Sequence, residues 1–301
     1  MKTKFDYNAE LLTASFTGYF MLLFIDNLCN IDFSYFHPTR GLVGETWLAS
    51  IELEGELNEQ GMICDFGIVK QVVRQWLDEE VDHRLLVATQ STCAKKVATS
   101  QDIVEIHWQT KSGESYLCNS PQSAIVSLDA ESTDARSLSA WCKQRLKDKL
   151  PSDIGNLNLR FTPEQIVDPF YHYSHGLKKH SGNCQRIAHG HRSKIEIWKN
   201  DVLDTGLIAA WAERWQDIYI GSKEDLTKEQ ASGANYTFAY RSSQGEFYLS
   251  IPKGKCALID TDSTVEFLAQ HIAQQLKLEH PNDHFKVKAY EGIGKGAVAK
   301  I

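Results

Sequence analysis

The sequence lacks the features of a nucleic-acid-binding or membrane-spanning protein. Its 32 Lys and Arg residues are outnumbered by 39 Asp and Glu residues, so the net charge of −7 gives no general attraction to phosphate backbones or anionic lipids. We therefore expect no nucleic-acid partner and no membrane partner. The apolar residues 20–25 lie between Glu10 and Asp26, and they predict a strand rather than a signal peptide or a membrane helix.

The sequence also lacks the cysteine pattern of a disulfide-stabilised protein. The seven cysteines are odd in number, and no two have CxxC spacing. They are Cys29, Cys64, Cys93, Cys118, Cys142, Cys184 and Cys256. Such a set favours a reducing, cytoplasmic location. A hydrophobic content of 42% over 301 residues argues against a disordered chain, and the length favours two domains.

Short segments recur in the same order in both halves of the chain, which indicates an internal repeat. Residues 111–117 match residues 243–249, and residues 50–53 match residues 194–197. The segments 50–53 and 194–197 alternate as half-buried strands do. Equivalent residues are 144 apart in segments 50–53 and 194–197 but 132 apart in segments 111–117 and 243–249. The second copy is therefore shorter by about a dozen residues between these segments.

Helix signals follow in each half. Ser-Thr pairs at residues 132–133 and 263–264 precede amphipathic segments and predict N-caps. In the first copy, residues 65–77 form an earlier helix, and the second copy keeps a shorter remnant at residues 209–215. Four apolar residues of the first helix share one face: Val69, Val72, Val73 and Trp76. Each half is predicted as strand pair, helix, strand pair, helix, strand.

Two prolines within seven residues, Pro163 and Pro169, mark a boundary between the copies. We predict a first domain over residues 1–163 and a second over residues 164–301. The pattern of strands and helices predicts an α+β fold in both domains, with antiparallel sheets and helices packed on one face.

Histidines are concentrated at the start of the second copy, where five of the eleven fall between His172 and His191. On a strand, His189 and His191 point to the same face and can reach one metal ion. His175, on a paired strand, would complete three nitrogen ligands and leave a position open, which suits Zn²⁺. An isolated His-x-His is more often a pair of ordinary surface histidines, but His175 and Cys184 strengthen the metal interpretation.

Cys184 follows Gly182 and Asn183, a sequence typical of a loop. A thiol beside a metal is readily deprotonated, so this residue can be a fourth ligand or a base. A buried, inert cysteine is the alternative.

The first copy has no histidine cluster where the second copy has one. It carries instead Asp82 and His83 after its first helix, and an adjacent Asp-His pair can form a dyad in which the carboxylate orients the ring. The second copy has a similar pair, Asp283-His284, but this pair lies before the last strand and is interpreted as a loop.

These residues resemble the 6-pyruvoyltetrahydropterin synthase and 6-carboxytetrahydropterin synthase family, over nearly the whole chain and as a tandem fusion. The motifs that carry the resemblance are the Cys-x4-His-Gly-His at residues 184–191, the Gly-Met-x-x-Asp-Phe at residues 61–66, the Asp-His at 82–83 and the Ser-Thr-x-Glu at 263–266. The resemblance implies two tandem tunnelling-fold (T-fold) domains.

The resemblance also implies roles for individual residues. It makes His175, His189 and His191 the zinc ligands and Cys184 the catalytic base. Glu291 would anchor a pterin ring, and Thr264 belongs to the substrate-binding motif before the second helix. Asp82 and His83 of the first copy would join the zinc and Cys184 of the second copy in one composite site, either within a chain or between chains.

The implied reaction is the zinc-dependent conversion of 7,8-dihydroneopterin triphosphate to 6-carboxytetrahydropterin, acetaldehyde and triphosphate, in a queuosine precursor pathway. The alternatives are a 6-pyruvoyltetrahydropterin synthase, which only eliminates triphosphate, and a non-catalytic zinc- or pterin-binding protein. The x4 spacing between Cys184 and His189 does not separate the two enzymes. The resemblance implies a homo-oligomer. Nearby cations are candidates to bind triphosphate: Lys178, Lys179, Arg186 and Arg192.

Overall fold

The computed structural model describes residues 21–150, 154–227 and 233–301. The first half has two long strands, a helix, five short strands, a second helix and a final strand. These elements are β1 (Met21–His37), β2 (Gly41–Gly55), α1 (Phe66–Glu80), β3 (Leu85–Ala88), β4 (Ala94–Ser100), β5 (Ile103–Gln109), β6 (Ser115–Pro121), β7 (Ile125–Leu128), α2 (Ala135–Leu146) and β8 (Ile154–Pro163).

The second half repeats this order with fewer strands between its helices. Its elements are β9 (Phe170–His175), β10 (His189–Lys199), β11 (Val202–Leu203), α3 (Thr205–Arg214), β12 (Ile218–Ser222), β13 (Asn235–Ser242), β14 (Gly245–Pro252), β15 (Cys256–Ile259), α4 (Val265–Glu279), β16 (Phe285–Tyr290) and β17 (Gly296–Lys300). None of the helices within the described residues is long and apolar enough to cross a membrane.

Each half builds its own main sheet. The first sheet has the order β7-β3-β1-β2-β8, and the second has the order β15-β12-β9-β10-β16-β17 with β11 paired to β10. The long strand pairs are antiparallel, but β3 and β12 each join two parallel neighbours. α1 and α2 bury their apolar residues in the core of the first sheet, as α3 and α4 do in the second. The predicted α+β class with two tandem T-fold domains is confirmed.

A third sheet, ordered β13-β14-β6-β5-β4, joins the two halves through the pairing of β14 with β6. Beneath it lies a core that draws on both halves, including Phe36, Trp108, Phe238 and Leu249. The segment 164–169 links β8 to β9. Because β6 and β14 share a sheet, the division at residue 163 stays a prediction.

The predicted helix starts have different outcomes. Thr264 is the N-cap of α4 and accepts a hydrogen bond from Phe267 N. The N-cap of α2 is Asp134, so the prediction of a cap at residues 132–133 is wrong. Asp134 caps the helix because its carboxylate accepts from two helix N–H groups at once. Ser132 donates to this carboxylate instead of capping the helix itself.

Three further predictions can be compared with the elements. The strand expected at residues 20–25 is confirmed from Met21 onward, and residue 20 lies outside the described residues. In α1, Val69, Val73 and Trp76 are buried as expected, whereas Val72 is only half-buried. The predicted strand pair between the helices is wrong in number, since the structure has five strands there in the first half and four in the second. Very short parallel strands such as β3 carry too little periodicity to be recognised.

The two main sheets pack against each other where β1 and β2 meet β9 and β10. Ser34 pairs with Gly44 in the first sheet and Ser174 pairs with Gly190 in the second. The Oγ atoms of the two serines lie 2.7 Å apart. A Cβ on Gly190 would lie only 2.7 Å from the Gly44 Cα, so glycine is required for this approach. The two halves are therefore related by an approximate internal symmetry about this crossing.

Candidate active site and metal centre

Three histidines of the second half converge beside this crossing. His175 at the end of β9 pairs with His189 at the start of β10, and His191 lies on the same face two residues on. All three side chains are fully buried, and each can offer a ring nitrogen within 4.8 Å of the others. The predicted grouping is therefore present in the structure.

Polar groups face the far side of each ring, through hydrogen bonds at His175 and His189 and an ion-pair contact at His191. His175 Nδ1 is 3.0 Å from both the carbonyl oxygen and the hydroxyl of Ser263, and His189 Nδ1 is 2.9 Å from the Arg186 carbonyl oxygen. His191 Nδ1 lies 3.3 Å from the Asp32 carboxylate. A histidine that donates from Nδ1 has its lone pair on Nε2, which is the usual arrangement of a metal ligand.

The Nε2 atoms of the three rings are buried and have no hydrogen-bond partner. Burial holds the pKa of His175 and of His189 well below the usual range, so both rings are neutral. Neutral imidazoles with buried, unpartnered nitrogens fit a metal ion, because an unsatisfied buried nitrogen would otherwise be costly. The donor set thus fits a metal with three protein nitrogens and a further position open.

The Asp-His pair of the first half lies next to this triad. Asp82 forms a short hydrogen bond with His83 Nδ1, and the His83 ring centroid is 4.9 Å from that of His189. His83, Cys184 and His189 form a second group whose ligand atoms lie within 4.8 Å of one another. The structure therefore brings the predicted dyad, Cys184 and the triad together within one chain.

The backbone at His83 is held in an uncommon conformation. Its φ of 56° is in the left-handed region, and its N–H donates to the Asp32 carbonyl oxygen at 2.6 Å. Burial opposes protonation of this ring, but hydrogen bonds to Asp82 and Cys184 outweigh it and raise the pKa of His83 to about 10. The raised pKa favours the protonated form of this ring.

Cys184 lies in a short turn of residues Asn183–Gln185 and is half-buried. Neighbouring residues fix the turn: Gln244 Nε2 donates to Asn183 Oδ1, and the Gln185 side chain accepts from the Gln244 N–H. Of the three interpretations of this cysteine, the inert buried residue fits least, because Cys184 is only half-buried and its Sγ lies within 4.8 Å of ring nitrogens of His83 and His189.

The predicted substrate residues lie on two sides of the triad. Glu291 Oε1 is 3.7 Å from His191 Nε2, in the turn after β16. The Thr264 hydroxyl caps α4, while its neighbour Ser263 supports His175. A cleft of about 440 Å³ is lined by Asp32, Asp82 and His83 of the first half and by Lys295 of the second.

The predicted triphosphate-binding cations are placed differently from one another. Lys178 and Lys179 already form ion pairs with acidic residues, and Arg192 lies 3.5 Å from the Glu45 carboxylate. Arg186 donates to the Asp82 carbonyl oxygen and is the one of the four that contacts the dyad. Burial, together with nearby Arg84, lowers the pKa of Arg186 to about 10. A triphosphate role stays a prediction for all four.

Asp32 is the main site residue that sequence reasoning did not find. It lies in β1 between the buried apolar residues Ile31 and Phe33 and is itself 1% exposed. Burial opposes its charge, but His191 and then Lys295 hold the pKa of this carboxyl well below its usual range. A charged residue inside an apolar strand was the available signal, because such a residue needs a partner.

The same strand register shows why the first half has no triad of its own. Tyr35, Val43 and Glu45 occupy the positions that correspond to His175, His189 and His191. Tyrosine and valine cannot replace imidazole as neutral nitrogen ligands. This agrees with the expectation that the first copy cannot build the same metal site.

Comparison with known proteins bears on the first half. Residues 30–162 match the family model described as 6-pyruvoyl tetrahydropterin synthase. This part of the chain is similar to that family. The resemblance stated from the sequence is thereby confirmed, and the matched residues include Asp82 and His83 but not the histidine triad.

Two archaeal relatives assigned as 6-carboxy-5,6,7,8-tetrahydropterin synthases are similar to part of this chain. The protein of Pyrococcus horikoshii is 29% identical and that of Pyrococcus abyssi is 25% identical, each over 130 residues that cover 43% of this chain and 73% of the relative.

Solved 6-pyruvoyl tetrahydropterin synthases give weaker matches. The Plasmodium vivax enzyme is 16% identical with a TM-score of 0.38, and it covers 49% of this chain and 99% of its own. The Plasmodium falciparum enzyme is 14% identical with the same TM-score and the same coverage.

Proposed function

We propose that this chain is a zinc-dependent tetrahydropterin synthase that converts 7,8-dihydroneopterin triphosphate to 6-carboxytetrahydropterin, acetaldehyde and triphosphate. The observation that carries the proposal is the meeting of His83 from the first half with Cys184 and the histidine triad from the second. Both halves supply groups that this chemistry needs, and neither half holds all of them.

In this proposal His175, His189 and His191 hold the zinc ion. When bound, zinc supplies Lewis acidity to hydroxyl groups of the substrate side chain. The buried rings exclude water from the ligand nitrogens, and the groups on their far sides keep them in place.

Proton transfer is assigned to the dyad and the cysteine. Cys184 takes protons from the side-chain carbons of the substrate as the base. His83, oriented by Asp82, exchanges protons with Cys184 and gives one to the leaving group. Loss of triphosphate is an elimination that leaves a pyruvoyl side chain. Addition of one water and cleavage of the bond between its two carbonyl carbons would then give the 6-carboxylate and acetaldehyde.

Glu291 and Thr264 are assigned to the pterin ring. The carboxylate of Glu291 has two acceptor oxygens for the ring N–H groups, and its Oε1 lies 3.7 Å from His191 Nε2. Thr264 would contribute from the start of α4 while it also caps that helix.

The 6-pyruvoyl product is the second candidate, because the same residues can stop after elimination. The family model carries the pyruvoyl name, whereas the two archaeal relatives carry the carboxy name. We favour the carboxy product and, with it, a role in queuosine precursor synthesis in the cytoplasm. We also propose a homo-oligomer, because β8 and β17 are edge strands that can pair with other copies.

The test is metal content and product identity measured on the same purified chain. We expect about one zinc per chain, and 6-carboxytetrahydropterin with acetaldehyde after incubation with dihydroneopterin triphosphate. A pyruvoyl product would favour the second candidate. Zinc binding with no turnover would favour a non-catalytic binding protein.

The variant His83→Ala separates catalysis from metal binding. It should lower turnover by about 10²–10⁴-fold and leave zinc content unchanged, because His83 is assigned to proton transfer and not to the metal. His284→Ala is the matched control, since this exposed histidine also follows an aspartate but lies on a loop, and it should behave as the wild type. Loss of zinc in His83→Ala would make the residue structural.

A further inference from the structure

Asp32 contacts both parts of the candidate site at once. Its backbone N–H donates to Asp82 Oδ1 at 2.7 Å, and its carbonyl oxygen accepts from the His83 N–H at 2.6 Å. Its side-chain carboxylate lies 3.3 Å from His191 Nδ1. One residue of the first half therefore touches the dyad through its backbone and a metal-binding histidine of the second half through its side chain.

The carboxylate of Asp32 is itself fixed in place. Thr46 Oγ1 donates to Asp32 Oδ1 at 2.6 Å, and Lys295 Nζ lies 3.5 Å from Oδ2. A Cβ on Gly292 would be 2.8 Å from Oδ1, so the turn that carries Glu291 also packs against this carboxylate. A buried carboxylate held from several sides can set the orientation of an imidazole more firmly than a solvent-exposed one.

We infer that Asp32 is a positioning residue. Its side chain orients His191 for the metal, and its backbone holds the Asp82–His83 dyad at a fixed position relative to His191. This inference rests on the proposed metal centre. Asp32 belongs to the first half and His191 to the second, so the metal centre is completed across the interface between the halves. Loss of the carboxylate should free the His191 ring to rotate and weaken the metal site.

The internal symmetry provides a matched control. Asp32 corresponds to His172, and His191 corresponds to Glu45, so the other half of the interface has the same acid–imidazole contact with the roles exchanged. His172 Nδ1 is 3.5 Å from Glu45 Oε1, and both side chains are buried. Neither His172 nor Glu45 belongs to the triad. Replacing Glu45 therefore disturbs an equivalent buried contact without changing the contact to a metal-binding ring.

The experiment compares zinc affinity, by chelator competition, in the full-length wild type, Asp32→Asn and Glu45→Gln. We expect Asp32→Asn to lose about 10- to 100-fold in zinc affinity and Glu45→Gln to keep wild-type affinity. With Co²⁺ in place of zinc, the visible absorption bands should change in Asp32→Asn and stay unchanged in Glu45→Gln. A purely structural role for Asp32 would not alter the metal spectrum.

Other outcomes would contradict the inference. Wild-type zinc affinity and an unchanged cobalt spectrum in Asp32→Asn would overturn it. If Asp32→Asn does not fold, Thr46→Val removes the donor that fixes the carboxylate, and its zinc affinity then decides: a fall supports the inference and no change overturns it. A wild-type chain that binds no zinc would instead refute the proposed metal centre, and the inference would fall with it.

Discussion

Adding one methyl group to Gly44 should weaken a metal site that lies in the other half of the chain. A Cβ at this position would be 1.9 Å from the Tyr173 carbonyl oxygen and 2.6 Å from the His191 backbone nitrogen. Both atoms belong to backbone that cannot rotate away, so β9 and β10 must move. Overpacking usually costs about 1–3 kcal/mol, and backbone contacts this short place Gly44→Ala at the upper end, about 3 kcal/mol.

The site should respond because the displaced nitrogen belongs to His191, a proposed metal ligand. We expect Gly44→Ala to lower both the urea midpoint of unfolding and the zinc affinity. Gly254→Ala is the control, because a Cβ there meets no atom within 4 Å, and this variant should keep wild-type stability and affinity. If Gly44→Ala matched Gly254→Ala in both measurements, the close approach of the two sheets would be refuted.

Three further predictions concern charge, helix capping and the metal. Burial raises the pKa of Glu45 to about 7, against the opposing effect of Arg192 and Arg40, so the folded state holds its proton more tightly than the unfolded state. Stability should therefore fall as pH rises from about 4.5 to above 7. Glu45→Gln should be more stable than the wild type at pH 8 by about 3 kcal/mol and nearly equal at pH 4, as measured by denaturation at each pH. Asp134→Ala should cost about 1 kcal/mol in the same assay because α2 loses its N-cap, while Asp134→Asn should cost little. Removing zinc with a chelator should lower the melting temperature of the wild type, and the decrease should be absent in a chain with His189 and His191 both changed to Ala.

The sequence was informative wherever a motif places chemistry at a fixed spacing. His189 and His191 share a face because a strand alternates, and His175 lies on the paired strand as expected. The helix of residues 65–77 followed from its apolar face. These features depend on local periodicity, which a single sequence records.

The remaining features depend on contacts between distant segments. The third sheet joins β6 to β14, which no local pattern indicates. Ser263 supports His175 in part through a backbone carbonyl, so part of its role is independent of its side chain. The start of α2 was misplaced because Asp134 competes with the preceding Ser-Thr pair for the same capping position.

The meeting of the two halves bears on whether the proposed composite site forms within one chain or between chains. His83 and Cys184 belong to the same chain and lie next to each other, so the proposed composite site needs no neighbouring copy to bring them together. Asp82 and His83 lie in the first half, and the three histidines proposed as metal ligands lie in the second.

Complementation between two inactive variants tests the composite site most directly. His83→Ala and Cys184→Ala chains are denatured together, refolded as a mixture with zinc, and assayed for pterin products from dihydroneopterin triphosphate alongside refolded wild type. The account predicts that the wild type regains activity while the mixture stays as inactive as the separate variants, because each site needs both residues from one chain. Substantial activity in the mixture would show that the two residues meet between chains and would contradict the account.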